Sequence, residues 1–305
     1  MENTHAEIRL HPVVAPVPHS ENRALVGILF FVVGNLLTAI VDAFAKLMTR
    51  DTHAFQITWG YFLTMAILVG GYVAVRRLPR AKFMDTERIG LHMARSALLV
   101  ITISALFTGL AYIPLADAIA IMFSAPLFIT ILSIPVLGER VGVHRWSAVV
   151  IGLVGVIIII QPNGSMQWPV LMPLAAALSF AAFQILTRRL MTTEAPLVAL
   201  FHISVGAFLW SSLIVVFVWS PLAWAQVGMF AGIGVLGVFA HLCIIKAFQA
   251  AQASFIAPFN YVKLIWATIM GYILFGEVPA SRVLAGSAII IATGLYVLWR
   301  ERRRR

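Results

Sequence analysis

The stretch Ala43–Arg50 reads AFAKLMTR, and about 139 residues later the stretch Ala182–Arg189 reads AFQILTRR. Two further pairs of similar segments lie at nearly the same offset: VLGERVG (136–142) with LFGEVPA (274–280), and GLVGV (152–156) with TGLYV (293–297). One apolar match of this kind is common by chance. Three matches in register indicate that the chain consists of two related halves.

The composition places both halves in a membrane. Hydrophobic residues make up 61% of the 305 positions and charged residues only 11%, against about 25% charged in a soluble domain. Apolar stretches of about 20 residues, each long enough to cross a bilayer, follow one another with little between them. The sequence therefore predicts an all-α polytopic membrane protein with ten transmembrane helices, at 24–48, 55–75, 88–110, 116–137, 146–161, 169–189, 196–217, 226–248, 254–275 and 281–299.

The ends of the chain and its cysteine content add little to this plan. Residues 1–23 are polar and contain prolines, which is typical of a disordered cytoplasmic tail, and residues 300–305 form a short basic tail. Cys243 is the only cysteine, so no intramolecular disulfide can form.

The positive charges predict the orientation. If the amino terminus is cytoplasmic, only Arg50 and Arg282 fall in outer connections, while the inner connections and tails hold most of the 22 Lys and Arg residues. By the positive-inside rule both termini are then cytoplasmic. The net charge of +10 is accordingly expected to face anionic lipid rather than nucleic acid.

Dividing ten helices between two halves gives five each, in residues 24–161 and 162–299. Because five is odd, the second half must be inserted upside down relative to the first. Inverted repeats around a central cavity are the architecture by which secondary transporters alternate access. A duplication that built only a scaffold is the other interpretation.

Several of these features together resemble a known family. The ten-helix span, the GER at 138–140 and the GEV at 276–278, and prolines 126 and 258 in the preceding helices resemble EamA-type permeases of the drug/metabolite transporter superfamily. The resemblance covers residues 24–299 and is greatest to the YddG-type bacterial amino-acid exporters. It implies a cavity lined mainly by helices 1, 3, 4, 6, 8 and 9, a place in the bacterial inner membrane, and outward transport. We expect a monomer or a weak homo-oligomer.

Ionisable groups inside a membrane are functional candidates because hydrocarbon penalises charge. In predicted helix 1, Asn35, Thr38, Asp42 and Lys46 share one face. Asp42 is the only aspartate well inside a predicted helix, and Lys46 is four residues away, close enough to pair with it. This face is either a helix-internal salt bridge or a gate or proton site.

Predicted helix 9 carries Lys263 near the bilayer midplane. The lysine needs an acceptor, which is either a substrate or a structural partner such as backbone carbonyls or Asn35. Asn260 lies on its face. Further candidates for the cavity are side chains that offer polar contacts or aromatic walls: Tyr261, Phe123, Phe183, Gln184 and His241.

Two prolines and one arginine have alternative interpretations. Pro126, placed in the middle of predicted helix 4, and Pro258 are either tolerated kinks or hinges for alternation. Arg95 either extends to the cytoplasmic interface or serves the cavity.

When Asp42 and the residues at the membrane interfaces are excluded, the ionisable groups inside the bundle lean positive, so a substrate carboxylate would supply the missing charge. We therefore expect a small-molecule exporter, with amino acids, including aromatic ones, as the first candidates. A multidrug or nucleotide-sugar carrier of the same fold is the alternative. A membrane-embedded enzyme is a distant one, since the sequence holds neither GxSxG nor HExxH. No catalytic residue, metal site or cofactor is expected.

Overall fold

A computed structural model of the chain describes residues 21–77, 83, 88–138, 141–161, 168–190, 196–251 and 256–303. The described ranges are helical throughout apart from their connections. The helices are α1 (Glu21–Met48), α2 (Ala54–Val75), α3 (Ile89–Leu110), α4 (Leu115–Met122), α5 (Ala125–Leu137), α6 (Val143–Ile160), α7 (Leu171–Leu190), α8 (Pro196–Val215), α9 (Trp224–Ala250), α10 (Val262–Phe275) and α11 (Ser281–Arg303). Short 3₁₀ turns precede α7 (Trp168–Val170), follow α8 (Val216–Val218) and precede α10 (Ala257–Tyr261).

Seven helical segments of the described ranges are long and apolar enough to cross a membrane. They are Leu25–Met48, Ala54–Val75, Ile89–Leu110, Leu115–Leu137, Trp168–Leu190, Leu197–Val218 and Trp224–Ala250. Two shorter apolar helices follow the same pattern, Trp146–Ile160 and Ser281–Val297. The segment 257–275 is divided between a 3₁₀ turn and α10.

Two of the predicted helices are interrupted. Predicted helix 4 is divided, because the chain leaves α4 at Met122 and re-enters a helix at Ala125. Predicted helix 9 is divided between the 3₁₀ turn Ala257–Tyr261 and α10. Helix α1 begins at Glu21 and α11 continues to Arg303. Residues 1–20 of the expected amino-terminal tail lie outside the described residues.

Helices α5 and α10 end in the same way. Each is followed by a glycine in the left-handed region, Gly138 with φ 66° and Gly276 with φ 68°. The amide of each glycine donates to a carbonyl of the last helical turn, Ile134 and Tyr272 respectively. Only glycine adopts this conformation without a Cβ penalty, so the two matching GE dipeptides of the sequence are matching helix stops.

The packing of the helices is nearly unchanged when the two halves of the chain are exchanged. A shift of about 139 residues converts α1, α2 and α3 into α7, α8 and α9. Under this exchange the contact of α1 with α9 becomes that of α7 with α3, and the contact of α2 with α9 becomes that of α8 with α3; both members of each pair are present. The contacts α2 with α8 and α6 with α11 are converted into themselves.

Helices α6 and α11 approach each other most closely at two glycines. A Cβ on Gly286 would lie 2.5 Å from the carbonyl oxygen of Gly155, and a Cβ on Gly155 would lie 2.9 Å from that of Gly286. Small residues let membrane helices approach backbone to backbone. This contact holds α6 and α11 together. The polar groups described next lie among α1, α4 and α10.

Candidate functional site

The centre of the bundle contains two interrupted helices that meet at aromatic residues. Phe123 is the cap residue between α4 and α5, and Tyr261 is the last residue of the 3₁₀ turn before α10. Both stand the same distance before their helix-stop glycines, Gly138 and Gly276. Their ring centroids are 5.2 Å apart at an interplanar angle of 66°, an edge-to-face contact between equivalent positions of the two halves.

The two prolines lie beside these interruptions rather than inside a continuous helix. Pro126 falls in the first turn of α5, and Pro258 is the second residue of the 3₁₀ turn. A first turn has no intrahelical acceptor for its amides, so neither proline removes a hydrogen bond from a helix interior. The prediction that Pro126 lies in the middle of a helix is wrong, because the helix is broken just before it.

An ion pair joins α1 to α10 next to the interruption. Lys263 Nζ lies 2.8 Å from Asp42 Oδ2, and their side chains are 21% and 7% exposed. Asp42 Oδ2 makes no hydrogen bond of standard geometry within the described residues, so the contact is an ion pair with poor hydrogen-bond alignment. Lys263 is 12 residues before the end of α10, roughly 18 Å along the helix axis.

This pair differs from the sequence prediction. The expected pairing of Asp42 with Lys46 is wrong, because each residue pairs with a group of the second half. The expected acceptor for Lys263 among carbonyls, Asn35 or a substrate is replaced by the Asp42 carboxylate. The pair is formally neutral, so Asp42 compensates the positive charge of Lys263.

Lys46 forms a second ion pair one turn further along α1. Its ammonium lies 2.5 Å from Glu277 Oε1 and donates to the carbonyl of Ile113 at 2.7 Å. Glu277 Oε2 accepts from the amide of Leu115 at 2.8 Å, an orphan donor of the first turn of α4. We call this set of contacts the latch; it ties α1, the α3–α4 connection and the α10–α11 connection together.

Glu277 reaches the latch by folding back along α10. Its amide donates to the carbonyl of Gly271 at 3.1 Å, and a Cβ on Gly271 would lie 3.4 Å from Glu277 Oε2. A shallow pocket of about 190 Å³ borders the latch, lined by Lys46, Thr49, Arg50, Leu110, Ala111, Phe275 and Glu277.

Asp117 is a buried acid beside the latch that the sequence analysis did not select. It lies in the first turn of α4, is 9% exposed, and its Oδ1 has no hydrogen-bond partner among the described residues. Lys46, Glu277 and Arg282 are close enough to interact with it electrostatically. Its place at the start of a predicted helix suggested an interface residue, and only the folded chain shows that it is enclosed.

Most of the other candidate polar residues bond to their own helices. Asn35 donates to the carbonyl of Phe31 at 3.0 Å, and Thr38 donates to that of Asn35 at 2.9 Å. His241 bonds to the carbonyl of Gly237 at 2.9 Å. These contacts satisfy one donor each and leave other polar atoms of Asn35 and His241 available.

Gln184 and Asn260 are exposed, and Phe183 packs against a buried cation. Arg95 is 3% exposed, donates to the carbonyl of Ala199 at 2.6 Å, and holds its guanidinium carbon 5.8 Å from the centre of the Phe183 ring. Arg95 therefore does not extend to an interface; it joins α3 to α7 and α8.

Two further polar atoms near the interruptions are buried without a partner among the described residues. They are Ser124 Oγ, directly after Phe123, and Trp266 Nε1, one turn after Lys263. Unpaired buried polar groups are costly and are candidates for contact with a ligand. In the part of the chain that the structure describes, no cluster of His, Cys, Asp and Glu could hold a metal ion.

The fold and this site define a polytopic helical membrane protein with interrupted helices and ion pairs between its two halves. The model of the EamA-like transporter family matches the chain twice, at residues 25–161 and 167–299. The chain therefore belongs to the EamA-like transporter family.

Curated relatives of known name are similar over nearly their whole length. An S-adenosylmethionine uptake transporter of Rickettsia prowazekii is 26% identical over 91% of this chain and 94% of its own. A riboflavin transporter of Rhizobium johnstonii is 29% identical over 93% and 94%, and a pseudopaline exporter of Pseudomonas aeruginosa is 22% identical over 87% and 93%. A solved structure described only as the crystal structure of a protein shares the fold, with a TM-score of 0.59 at 19% identity, over 94% of this chain and all of that one.

Proposed function

We propose that this protein is a secondary transporter of the bacterial inner membrane that moves a zwitterionic metabolite bearing an ammonium and a carboxylate group. Amino acids, including aromatic ones, are the first candidates, and export is the proposed direction. The single observation that carries the substrate class is the Asp42–Lys263 pair. It combines one charge of each sign beside the central aromatic contact.

The architecture supports alternating access. We propose ten membrane spans, in which α4 with α5 forms one span and the 3₁₀ turn 257–261 with α10 another, arranged as two inverted repeats of five. The two family matches and the helix contacts that are kept on exchange of the halves both support this arrangement. Interrupted helices at corresponding positions of two halves are a recurrent feature of transporter binding sites.

The electrostatics support a zwitterion over an anion. Asp42 and Lys263 neutralise each other, so an added anion finds no uncompensated cation beside this pair. A zwitterion can enter between them without changing the net charge, its ammonium facing Asp42 and its carboxylate facing Lys263. The contact between Asp42 and Lys263 is then replaced by one contact of each side chain with the substrate. Each charge-assisted hydrogen bond of this kind contributes about 1.5–3 kcal/mol to binding.

The neighbouring groups suit the rest of such a substrate. The ring faces of Phe123 and Tyr261 offer an aromatic surface, and Ser124 Oγ and Trp266 Nε1 offer unpaired polar atoms. Among the relatives, one is named for S-adenosylmethionine, which is itself an amino acid. A nucleotide-sugar carrier is disfavoured because its substrate is anionic.

A flavin is the second candidate, because the aromatic contact would also suit a flat ring and one relative is named for riboflavin. Riboflavin carries neither an ammonium nor a carboxylate, so it would leave the Asp42–Lys263 pair intact.

Counterflow in proteoliposomes distinguishes these substrates. Vesicles loaded with unlabelled methionine, phenylalanine, S-adenosylmethionine or riboflavin are diluted into the labelled compound. We expect uptake of label for at least one zwitterion and inhibition by others, but none for methyl esters of the same amino acids. Counterflow of riboflavin alone, or equal transport of the esters, would overturn the zwitterion proposal.

A further inference from the structure

Asp117 is a buried carboxyl group that is not part of the proposed substrate site. It is 9% exposed, and its Oδ1 is fully enclosed without a hydrogen-bond partner among the described residues. It lies in the first turn of α4, two residues after Leu115, whose amide donates a hydrogen bond to Glu277. A buried acid in this position is held beside a contact that must break if the latch opens.

The charged groups that face Asp117 come from three elements packed against α4. Lys46 belongs to α1, Glu277 to the α10–α11 connection and Arg282 to α11. Arg282 also donates to Gln161 at 3.1 Å. Tyr112, before α4, packs on Trp168, and Tyr272 of α10 is exposed.

The other helices in contact with α4 carry their ionisable residues at their opposite ends. For α3, α6 and α7 these are His92, Arg95, His144, Arg145, Arg188 and Arg189. Arg50 of α1 also lines the pocket beside the latch. Because Arg50 and Arg282 are exposed, solvent screens both arginines, and the partly buried charges next to Asp117 are those of Lys46 and Glu277.

Protonation of Asp117 removes a charge that the closed latch leaves without a partner of its own. With Asp117 ionised, Lys46 and Glu277 already neutralise each other, so the enclosed carboxylate is an uncompensated buried charge. With Asp117 protonated, the enclosed groups are neutral in sum. Opening the latch admits water to the carboxyl group, and hydration favours its ionised form.

We propose that Asp117 is a proton-binding site that couples the latch to pH: it is protonated when the latch is closed, and proton release favours the open latch. By linkage, opening the latch lowers the affinity of Asp117 for a proton. For transport, the proposal rests on the proposed function and implies that transport is coupled to protons. The pH dependence of the latch itself can be measured without a substrate.

The direct test measures the distance across the latch in purified full-length protein in detergent. Spin labels are attached at Arg50→Cys and Val278→Cys in a Cys243→Ser background; both sites are exposed and lie on either side of the latch. Double electron–electron resonance then gives the populations of short (closed) and long (open) distances. Glu277→Gln, which removes the latch anion, serves as the open reference.

Raising the pH from about 5 to about 8 should raise the open-to-closed ratio by about tenfold, the shift that a tenfold difference in proton affinity produces. Asp117→Asn imitates the protonated acid and should give the short distance at both pH values. Asp51→Asn, which removes an exposed carboxylate near the same end of α1, should retain the wild-type response. An unchanged wild-type distribution, or a wild-type pH response in Asp117→Asn, would overturn the proposal whether or not a substrate is known.

Transport adds a second readout once a substrate is established. Asp117→Asn should keep counterflow and lose accumulation driven by a pH gradient. Wild-type counterflow that no pH gradient can drive would overturn the coupling while leaving the proposed function intact. Absence of transport for every zwitterion would overturn the proposed function, and the distance measurement would still decide the role of Asp117.

Discussion

Asp42 and Lys46 lie one turn apart on α1, and each forms its ion pair with a different part of the second half of the chain. Asp42 contacts Lys263 at the start of α10, and Lys46 contacts Glu277 after its end. One helix face thus binds both ends of the same span. A movement of α1 away from α10 breaks both pairs.

The first prediction separates the structural and binding roles of the Asp42–Lys263 pair. Lys263→Met leaves the buried Asp42 carboxylate without its partner, so we expect a loss of stability of about 2 kcal/mol, below the ~3–5 kcal/mol of a fully buried pair because the lysine is partly exposed. The double variant Asp42→Asn with Lys263→Met should recover most of this loss. Thermal unfolding of both variants in detergent measures it.

The same double variant should bind zwitterions about one to two orders of magnitude more weakly, because ~1.4 kcal/mol corresponds to a factor of ten. Substrate-induced thermal stabilisation gives the affinity. Wild-type affinity in a well-folded double variant would assign the pair a purely structural role.

The second prediction concerns the coupling of Lys46 with Glu277. Their side chains are 12% and 20% exposed, so a double-mutant cycle with Lys46→Met and Glu277→Gln should give a coupling free energy of about 1–2 kcal/mol. Glu277→Gln should cost more than Lys46→Met, because it also weakens the hydrogen bond to Leu115. Thermal unfolding of the four proteins measures the cycle, and strict additivity would show that the latch does not contribute to stability.

The third prediction tests the close approach of α6 and α11. In Gly286→Ala the new Cβ would lie 2.5 Å from the Gly155 carbonyl oxygen, so the helices must separate; we expect a loss of about 1–3 kcal/mol. Gly228→Ala in α9 is the matched control, since no atom lies within 4 Å of its Cβ position. The control should be neutral or up to about 1 kcal/mol more stable. Equal melting temperatures for the two variants would contradict the observed packing.

The fourth prediction is that both termini face the cytoplasm, which places the latch at the periplasmic end. Only Arg50 and Arg282 belong to the connections at the latch end, as the positive-inside rule requires. Epitope tags at either terminus should be protected from protease in intact spheroplasts and cleaved after lysis. Cleavage of either tag before lysis would reverse the assignment of the latch to the periplasm.

The sequence alone determined that the fold is all-helical and where its apolar helical segments lie approximately. Apolar stretches of bilayer length and glycine stops at 138 and 276 are local properties, because each helix in lipid must satisfy its own backbone hydrogen bonds. The repeat could be predicted for the same reason, since both halves form helices under the same local requirements. The division between α4 and α5 could not be predicted, because Pro126 is compatible either with a kinked helix or with the start of a new one.

Only the tertiary structure decided which charged groups meet. Asp42 and Lys46 have the spacing of a helix-internal pair, but the partners Lys263 and Glu277 follow more than 200 residues later and reach them only because α10 packs against α1. The enclosure of Asp117 likewise depends on contacts with α10 and α11. A charge inside a membrane must find a partner somewhere, and the sequence states that requirement without stating the partner, because Coulomb attraction acts across space and not along the chain.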